Sequence, residues 1–213
     1  MKLAECRYIA IEGPIGVGKS SLARKLSDHL RANLLLEGAG GNPFLASFYQ
    51  DMSRYALPAQ MFFLFQRVEQ VRGLKQIDLF DQPTVADFML EKDPLFAQLT
   101  LNDDEYRLYQ QMYQHMQLQA PTPDLVIYLQ ASLDALLSRV RKRGIAYERN
   151  ISDDYLTRLA ERYSEFFYQY DAAPLLIVNS TNLDFVNKEA DFQLLLERIE
   201  AMRGGREFFS RGK

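Results

Sequence analysis

Apolar residues along the chain follow two alternating spacings. Short apolar runs at 8–11, 34–36, 84–88, 125–129 and 175–178 have the length and content of buried strands. Between them the apolar positions recur near every 3.6 residues, as one face of a helix requires. Leu22, Leu26 and Leu30 form one such face, and Met61, Phe62, Phe65, Val68, Val71 and Leu74 form another on a helix starting at Pro58. Asn42-Pro43 pairs a capping residue with a first-turn proline and opens a helix toward Tyr49. Asn102 and Glu105 have capping-box spacing ahead of Tyr106, Tyr109, Tyr113 and Met116 on a helix over 102–119. Ser132 caps a helix ending near Arg143, Ser152 caps one reaching about Tyr170, and a last helix covers 186–202. Strands alternating with helices predict an α/β fold, a doubly wound parallel sheet of five strands. One domain over residues 1–203 is expected, with 204–213 as a frayed tail.

Composition narrows the function. A chain of 213 residues with 47% apolar content suits a single packed domain. The net charge of −3 argues against a nucleic-acid partner, which calls for a clustered cationic excess. Cys6 is the only cysteine, so neither an intrachain disulfide nor a cysteine metal cage can form. No apolar run approaches the roughly 20 residues of a membrane span. The charged N-terminus lacks a signal-peptide pattern, so no membrane partner and a cytoplasmic location are expected.

The strongest chemical signal is Gly13-Pro14-Ile15-Gly16-Val17-Gly18-Lys19-Ser20, which satisfies G-x-x-x-x-G-K-[ST] between a strand and a helix. Glycines let backbone N–H groups converge on phosphate oxygens, and the following helix presents its positive end to the same anion. Lys19 is placed to reach the β- and γ-phosphates of ATP, and the Ser20 hydroxyl to ligate Mg²⁺; Ser21 completes the segment. The GTPase base motif N-K-x-D has no good counterpart, because Asn187-Lys188-Glu189-Ala190 lacks the aspartate. Thr84-Val85-Ala86-Asp87 supplies an acid at a strand end and fits a motor ATPase or a kinase equally.

Three further segments resemble the deoxyribonucleoside kinase family, whose members phosphorylate deoxycytidine, deoxyguanosine and deoxyadenosine. The first is Glu37 at the end of the second strand, where the family has a glutamate facing the acceptor 5′-hydroxyl as general base. The second is Phe48-Tyr49-Gln50-Asp51 followed by Leu57-Pro58-Ala59-Gln60. By position, the resemblance gives Tyr49 the sugar 3′-hydroxyl and Gln60 the base; Phe62 and Phe65 are read as helix core. Arg67 lies seven residues beyond Gln60, on the same helical face. With Asp93, it matches members that accept dA, dG or dC more readily than dT. The third is a lid, in which Arg139, Arg141, Lys142, Arg143 and Arg149 place five cations within eleven residues. Arg139 and Arg143 are expected on the transferring phosphoryl group, and Glu148 on the 3′-hydroxyl. Asp184 and Phe185 resemble the segment around the ATP adenine.

Two departures stand out. Where many members read Glu-Arg-Ser or Asp-Arg-Ser, this chain has Asp87-Phe88-Met89. Asp87 keeps the acid, as a candidate Mg²⁺ partner or alternative base; the arginine is missing, and Lys92 is the candidate replacement. A second lid arginine is replaced by Ile145. The resemblance implies strand order 2-3-1-4-5, ATP and Mg²⁺ as cofactors, a homodimer formed through helices, and a role in nucleotide salvage. The rival readings are another small-acceptor kinase, for thymidine or a nucleoside monophosphate, and a nucleotide-gated switch.

Overall fold

The computed structural model describes residues 3–77, 82–116 and 121–211. Six strands form one parallel sheet: β1 (Tyr8–Glu12), β2 (Asn33–Leu35), β3 (Thr84–Ala86), β4 (Leu125–Gln130), β5 (Leu175–Asn179) and β6 (Arg206–Ser210). Their order is β2-β3-β1-β4-β5-β6. β1 is buried along its whole length, as a central strand covered on both faces must be. It pairs with β3 on one side, Ile9 opposite Val85, and with β4 on the other, Ile9 opposite Leu125. From β1 the chain runs outward to β2, returns to β3, and only then crosses to β4. Successive connections therefore leave β1 in opposite directions, and a crevice opens at the C-terminal strand ends where they part.

Eight α-helices join the described strands: α1 (Lys19–Leu30), α2 (Leu45–Phe48), α3 (Met52–Ile77), α4 (Asp93–Thr100), α5 (Asp103–Met116), α6 (Leu133–Arg143), α7 (Asp153–Gln169) and α8 (Glu189–Ala201). The Ser132 and Ser152 hydroxyls accept from Ala135 and Tyr155 N–H, so both predicted caps are made. A second, smaller core of Leu64, Val68, Val71, Phe88, Leu90, Ala97 and Tyr109 binds α3, α4 and α5 into one unit beside the crevice.

Several expectations need correction. The sheet has a sixth strand, and the expected frayed tail 204–213 forms it: β6 runs parallel to β5, with Leu175 opposite Arg206. Gly204-Gly205 precede it, and Glu207 Oε1 accepts from the Arg203 and Gly204 N–H groups to hold the bend. Arg206 donates to the Tyr168 and Tyr170 carbonyls, and Arg211 pairs with the buried Asp191. Gly212 and Lys213 lie outside the described residues. The helix placed at Pro58 begins at Met52, with the proline inside it. The helix expected from Asn42 to Tyr49 shrinks to the single turn α2, because Asn42 spends its side chain on the Phe44 N–H and the Ala59 carbonyl. The last helix spans Glu189–Ala201 rather than 186–202. α4 was not anticipated, although Asp93-Pro94 is a first-turn signal. The end of the 102–119 helix, at 117–119, falls outside the described residues.

Candidate active site

Residues 13–18 link β1 to α1 as a tight loop. Gly13 has φ 145°, and a Cβ there would stand 2.4 Å from the Leu129 carbonyl oxygen. Gly16 has φ 84°, and its Cβ would stand 2.8 Å from the Leu136 carbonyl oxygen. Both positions therefore demand glycine, for backbone conformation and for close approach to β4 and α6. Lys19 is half-buried and folds back, its Nζ donating to the Gly13 carbonyl at 2.7 Å and to Pro14 at 3.3 Å. Removal from water, and then the Lys92 charge, lower its pKa to about 8.

The ends of β1, β2 and β3 bring the acids together. Asp87 accepts the Ser20 hydroxyl on Oδ2 at 2.5 Å and the Glu37 backbone N–H on Oδ1 at 2.7 Å. One carboxylate thus couples the phosphate loop to the residue expected to act as base. Glu37 in turn receives Arg67, Nε at 2.7 Å from Oε1, and Lys92, Nζ at 3.2 Å from the same oxygen. Burial alone would raise the Glu37 pKa, but Arg67, Lys92 and Lys19 hold it down to about 2. The carboxylate is ionised at any physiological pH, ready to accept a hydrogen bond.

Gln60 and Arg67 point from α3 to a shared partner. Asp93 is fully buried and accepts Gln60 Nε2 at 2.6 Å, an Arg67 guanidinium N–H, and the Tyr109 hydroxyl at 2.6 Å. The carboxylate fixes the Gln60 amide: its nitrogen must face Asp93, so its oxygen is the edge left for a ligand. Phe63 lines the cavity under the Arg67 guanidinium, 5.0 Å from ring centre to Cζ. Phe65, read as core, is 46% exposed instead.

The lid follows α6. Gly144, with φ 70°, ends the helix, and a 3₁₀ turn at Ala146–Asn150 carries Tyr147 and Glu148 over the cavity. Arg143 and the buried Glu148 form a two-pronged pair, Nε–Oε2 at 3.0 Å and Nη2–Oε1 at 2.5 Å. Tyr147 stacks on Tyr49, centroids 6.1 Å apart and rings 5° from parallel, so the lid meets the expected sugar pocket. Arg139 is placed differently from its expected companion Arg143. It donates to the Val17 carbonyl and to the Ser180 hydroxyl and carbonyl, bracing the phosphate loop against the segment after β5. Phe185 packs over Gly18, a ring carbon 3.2 Å from where a Cβ would stand, and Asp184 lines the same cavity.

The site residues expected from the sequence line one cavity of about 1040 Å³, apart from Gly13, Pro14 and Asp93, which are not part of its lining. Among the described residues no cluster of three or more His, Cys, Asp or Glu offers a metal cage, which leaves Ser20 with Asp87 as the hard-oxygen pair. Sequence reading missed Glu12, fully buried at the head of the phosphate loop, and Tyr109, seen only as part of a helix face. It also missed Gln66 and Gln70, whose amides hold the Glu37 and Leu36 carbonyls. A buried acid in a strand and polar residues on a helix give no local sign of their partners.

A family model described as deoxynucleoside kinase matches residues 9–202. Deoxyadenosine kinase of Lactobacillus acidophilus is 33% identical over 212 residues, covering 92% of this chain and 97% of that protein. Deoxyguanosine kinase of Bacillus subtilis is 33% identical over 200 residues, covering 92% and 97%. A deoxyadenosine kinase from M. mycoides, solved with products dCMP and a flexible dCDP bound, superposes with TM-score 0.79 at 28% identity, over 92% of this chain and all of that one. A glycine loop joined by Asp87 to the backbone of Glu37, just past β2, agrees with these matches, and the chain belongs to the deoxynucleoside kinase family.

Proposed function

We propose that this deoxynucleoside kinase transfers the γ-phosphoryl group of ATP to the 5′-hydroxyl of dA, dG or dC in preference to dT. The Asp87 bridge carries the reading, because it sets the magnesium-type Ser20 hydroxyl and the Glu37 backbone on two oxygens of one carboxylate. Donor and acceptor sites so coupled favour in-line transfer, where positioning and charge stabilisation supply most of the catalysis.

Ser20 and Asp87 offer two adjacent hard oxygens, which suits Mg²⁺ completed by water and phosphate oxygens. When bound, the ion neutralises charge on the β- and γ-phosphates. Glu37 accepts the 5′-hydroxyl hydrogen bond and orients the oxygen. Because its pKa lies near 2, it serves as an acceptor throughout and takes the proton only as the oxygen–phosphorus bond forms. Lys19 leaves the Gly13 and Pro14 carbonyls for the phosphates, and Arg143 leaves Glu148, which is then free for the sugar 3′-hydroxyl beside Tyr49. Arg139 acts by holding the loop.

The orientation of Gln60 supports the base preference. Its free amide oxygen matches the exocyclic amino group of adenine, guanine and cytosine, where thymine offers its ring N3–H alone. Phe65 on α3 and Leu108 on α5 are exposed, which favours a homodimer through these helices. Among the described residues no helix is long and apolar enough to cross a membrane. A deoxynucleoside monophosphate product places the enzyme in nucleotide salvage.

The test is ADP release from ATP and Mg²⁺ with dA, dG, dC, dT and adenosine, repeated with chelator. Stimulation by the three amino-bearing deoxynucleosides above dT, lost on chelation, is expected. A preference for dT rejects the base assignment, and hydrolysis indifferent to any acceptor rejects the kinase reading.

A further inference from the structure

Lys92 is a buried cation that the reaction scheme above leaves without a task. It precedes α4, and only 1% of its side chain is exposed, yet it borders the cavity beside Glu37. Burying an ammonium group is unfavourable unless carboxylates compensate it. Two do: Glu37 Oε1 lies 3.2 Å from its Nζ, and Glu12 Oε1 lies 3.4 Å away. The Phe96 ring closes another side, its centroid 6.0 Å from Nζ.

Glu12 is anchored in turn. Its Oε1 accepts the Met89 N–H at 2.8 Å, and its Oε2 accepts the Gly13 N–H at 3.1 Å and the Tyr163 hydroxyl at 3.2 Å. The result is a continuous polar path from the first residue of the phosphate loop, through Glu12 and Lys92, to the carboxylate proposed as base. The other cation on Glu37, Arg67, is shared with Asp93 and draws Glu37 toward the base-binding end. Lys92 pulls the same oxygen toward the loop. These two contacts on one oxygen fix where Glu37 points, and one of them depends on Lys92.

We infer that Lys92 is a positioning residue for phosphoryl transfer, holding Glu37 in register with the phosphate loop through Glu12. The inference rests on the reading of Glu37 as base. Without Lys92 the carboxylate keeps Arg67 as its direct cationic contact, and a misplacement of about 1 Å near the reacting atoms costs on the order of 100-fold in rate. The donor site is built from loop amides and Lys19, so ATP binding is not the step that suffers.

Three variants of the full chain decide the matter: Lys92→Met, the double variant Glu12→Gln/Lys92→Met, and Glu37→Gln. Removing Lys92 alone strands Glu12 as an unpaired buried acid, whereas the double variant removes both charges and so separates positioning from simple charge balance. Both Lys92 variants are expected to lose kcat by about 100-fold while KM for ATP stays within about threefold of wild type. If either keeps kcat within about threefold of wild type, Lys92 serves only as counter-ion and the inference is overturned. Should Lys92→Met fail to fold, the double variant carries the same comparison. Glu37→Gln separates the two layers. If it is inactive while the Lys92 variants remain active, the inference alone fails; if it is fully active, the base reading fails first.

Discussion

Tyr109→Phe removes one hydroxyl and leaves the ring packing of α5 intact. Tyr109 is 1% exposed, and its hydroxyl donates to Asp93 Oδ1 at 2.6 Å. Asp93 is itself fully buried and has no solvent to replace that bond. A hydrogen bond to a charged group contributes about 1.5–3 kcal/mol, and the lost donor leaves Asp93, among the described residues, with the Gln60 and Arg67 side chains. For a chain of this size each kcal/mol moves the melting temperature by about 2–4 °C, so a fall of about 3–12 °C follows. Calorimetry or circular dichroism on both proteins at one pH and ionic strength measures it. The acceptor site should loosen with it, because Asp93 is what turns the Gln60 amide. KM for the deoxynucleoside rises, while KM for ATP, set more than one element away, does not. A melting temperature within about 1 °C of wild type, with unchanged acceptor KM, would refute the claim that Tyr109 supports the base-binding acid.

Other outcomes follow from separate parts of the molecule. Gly13→Ala places a Cβ 2.4 Å from the Leu129 carbonyl oxygen, so ATP binding measured by calorimetry should be lost or severely weakened even where the protein still folds. Acid sensitivity should report Glu37. Its folded pKa, near 2, lies below the ordinary 4.5, so its ionised form stabilises the fold above about pH 4.5 and that contribution fades as pH falls toward 2. Glu37→Gln should therefore show a shallower loss of denaturant stability than wild type between about pH 4.5 and pH 2, and equal slopes would contradict the Arg67 and Lys92 pairing. Truncation after Met202 deletes β6 and the Arg211 partner of buried Asp191, so the melting temperature should fall. Preserved thermal stability would mean that the last strand adds nothing to the sheet.

The phosphate loop, five of the six strands, the Ser132 and Ser152 caps and the lid cations were legible along the chain, because each depends on neighbours a few residues apart. Backbone sterics dictate glycine at 13 and 16, and strand and helix periods repeat within one element. The shared face of Gln60 and Arg67 was legible for the same reason, since a spacing of seven puts them on one side of the helix. β6 was not: a five-residue edge strand that opens on two charged residues pairs only because β5 offers an open edge and Glu207, Arg206 and Arg211 find partners on α7, α8 and the segments beside them. Nor were the partners of Glu12, Lys92 and Tyr109, which lie 16 to 151 residues away in the chain. Local sequence determined that a tight glycine loop would join β1 to α1. Only the tertiary fold, by burying charges where they must find each other, decided which cations meet Glu37 and which acid turns the Gln60 amide.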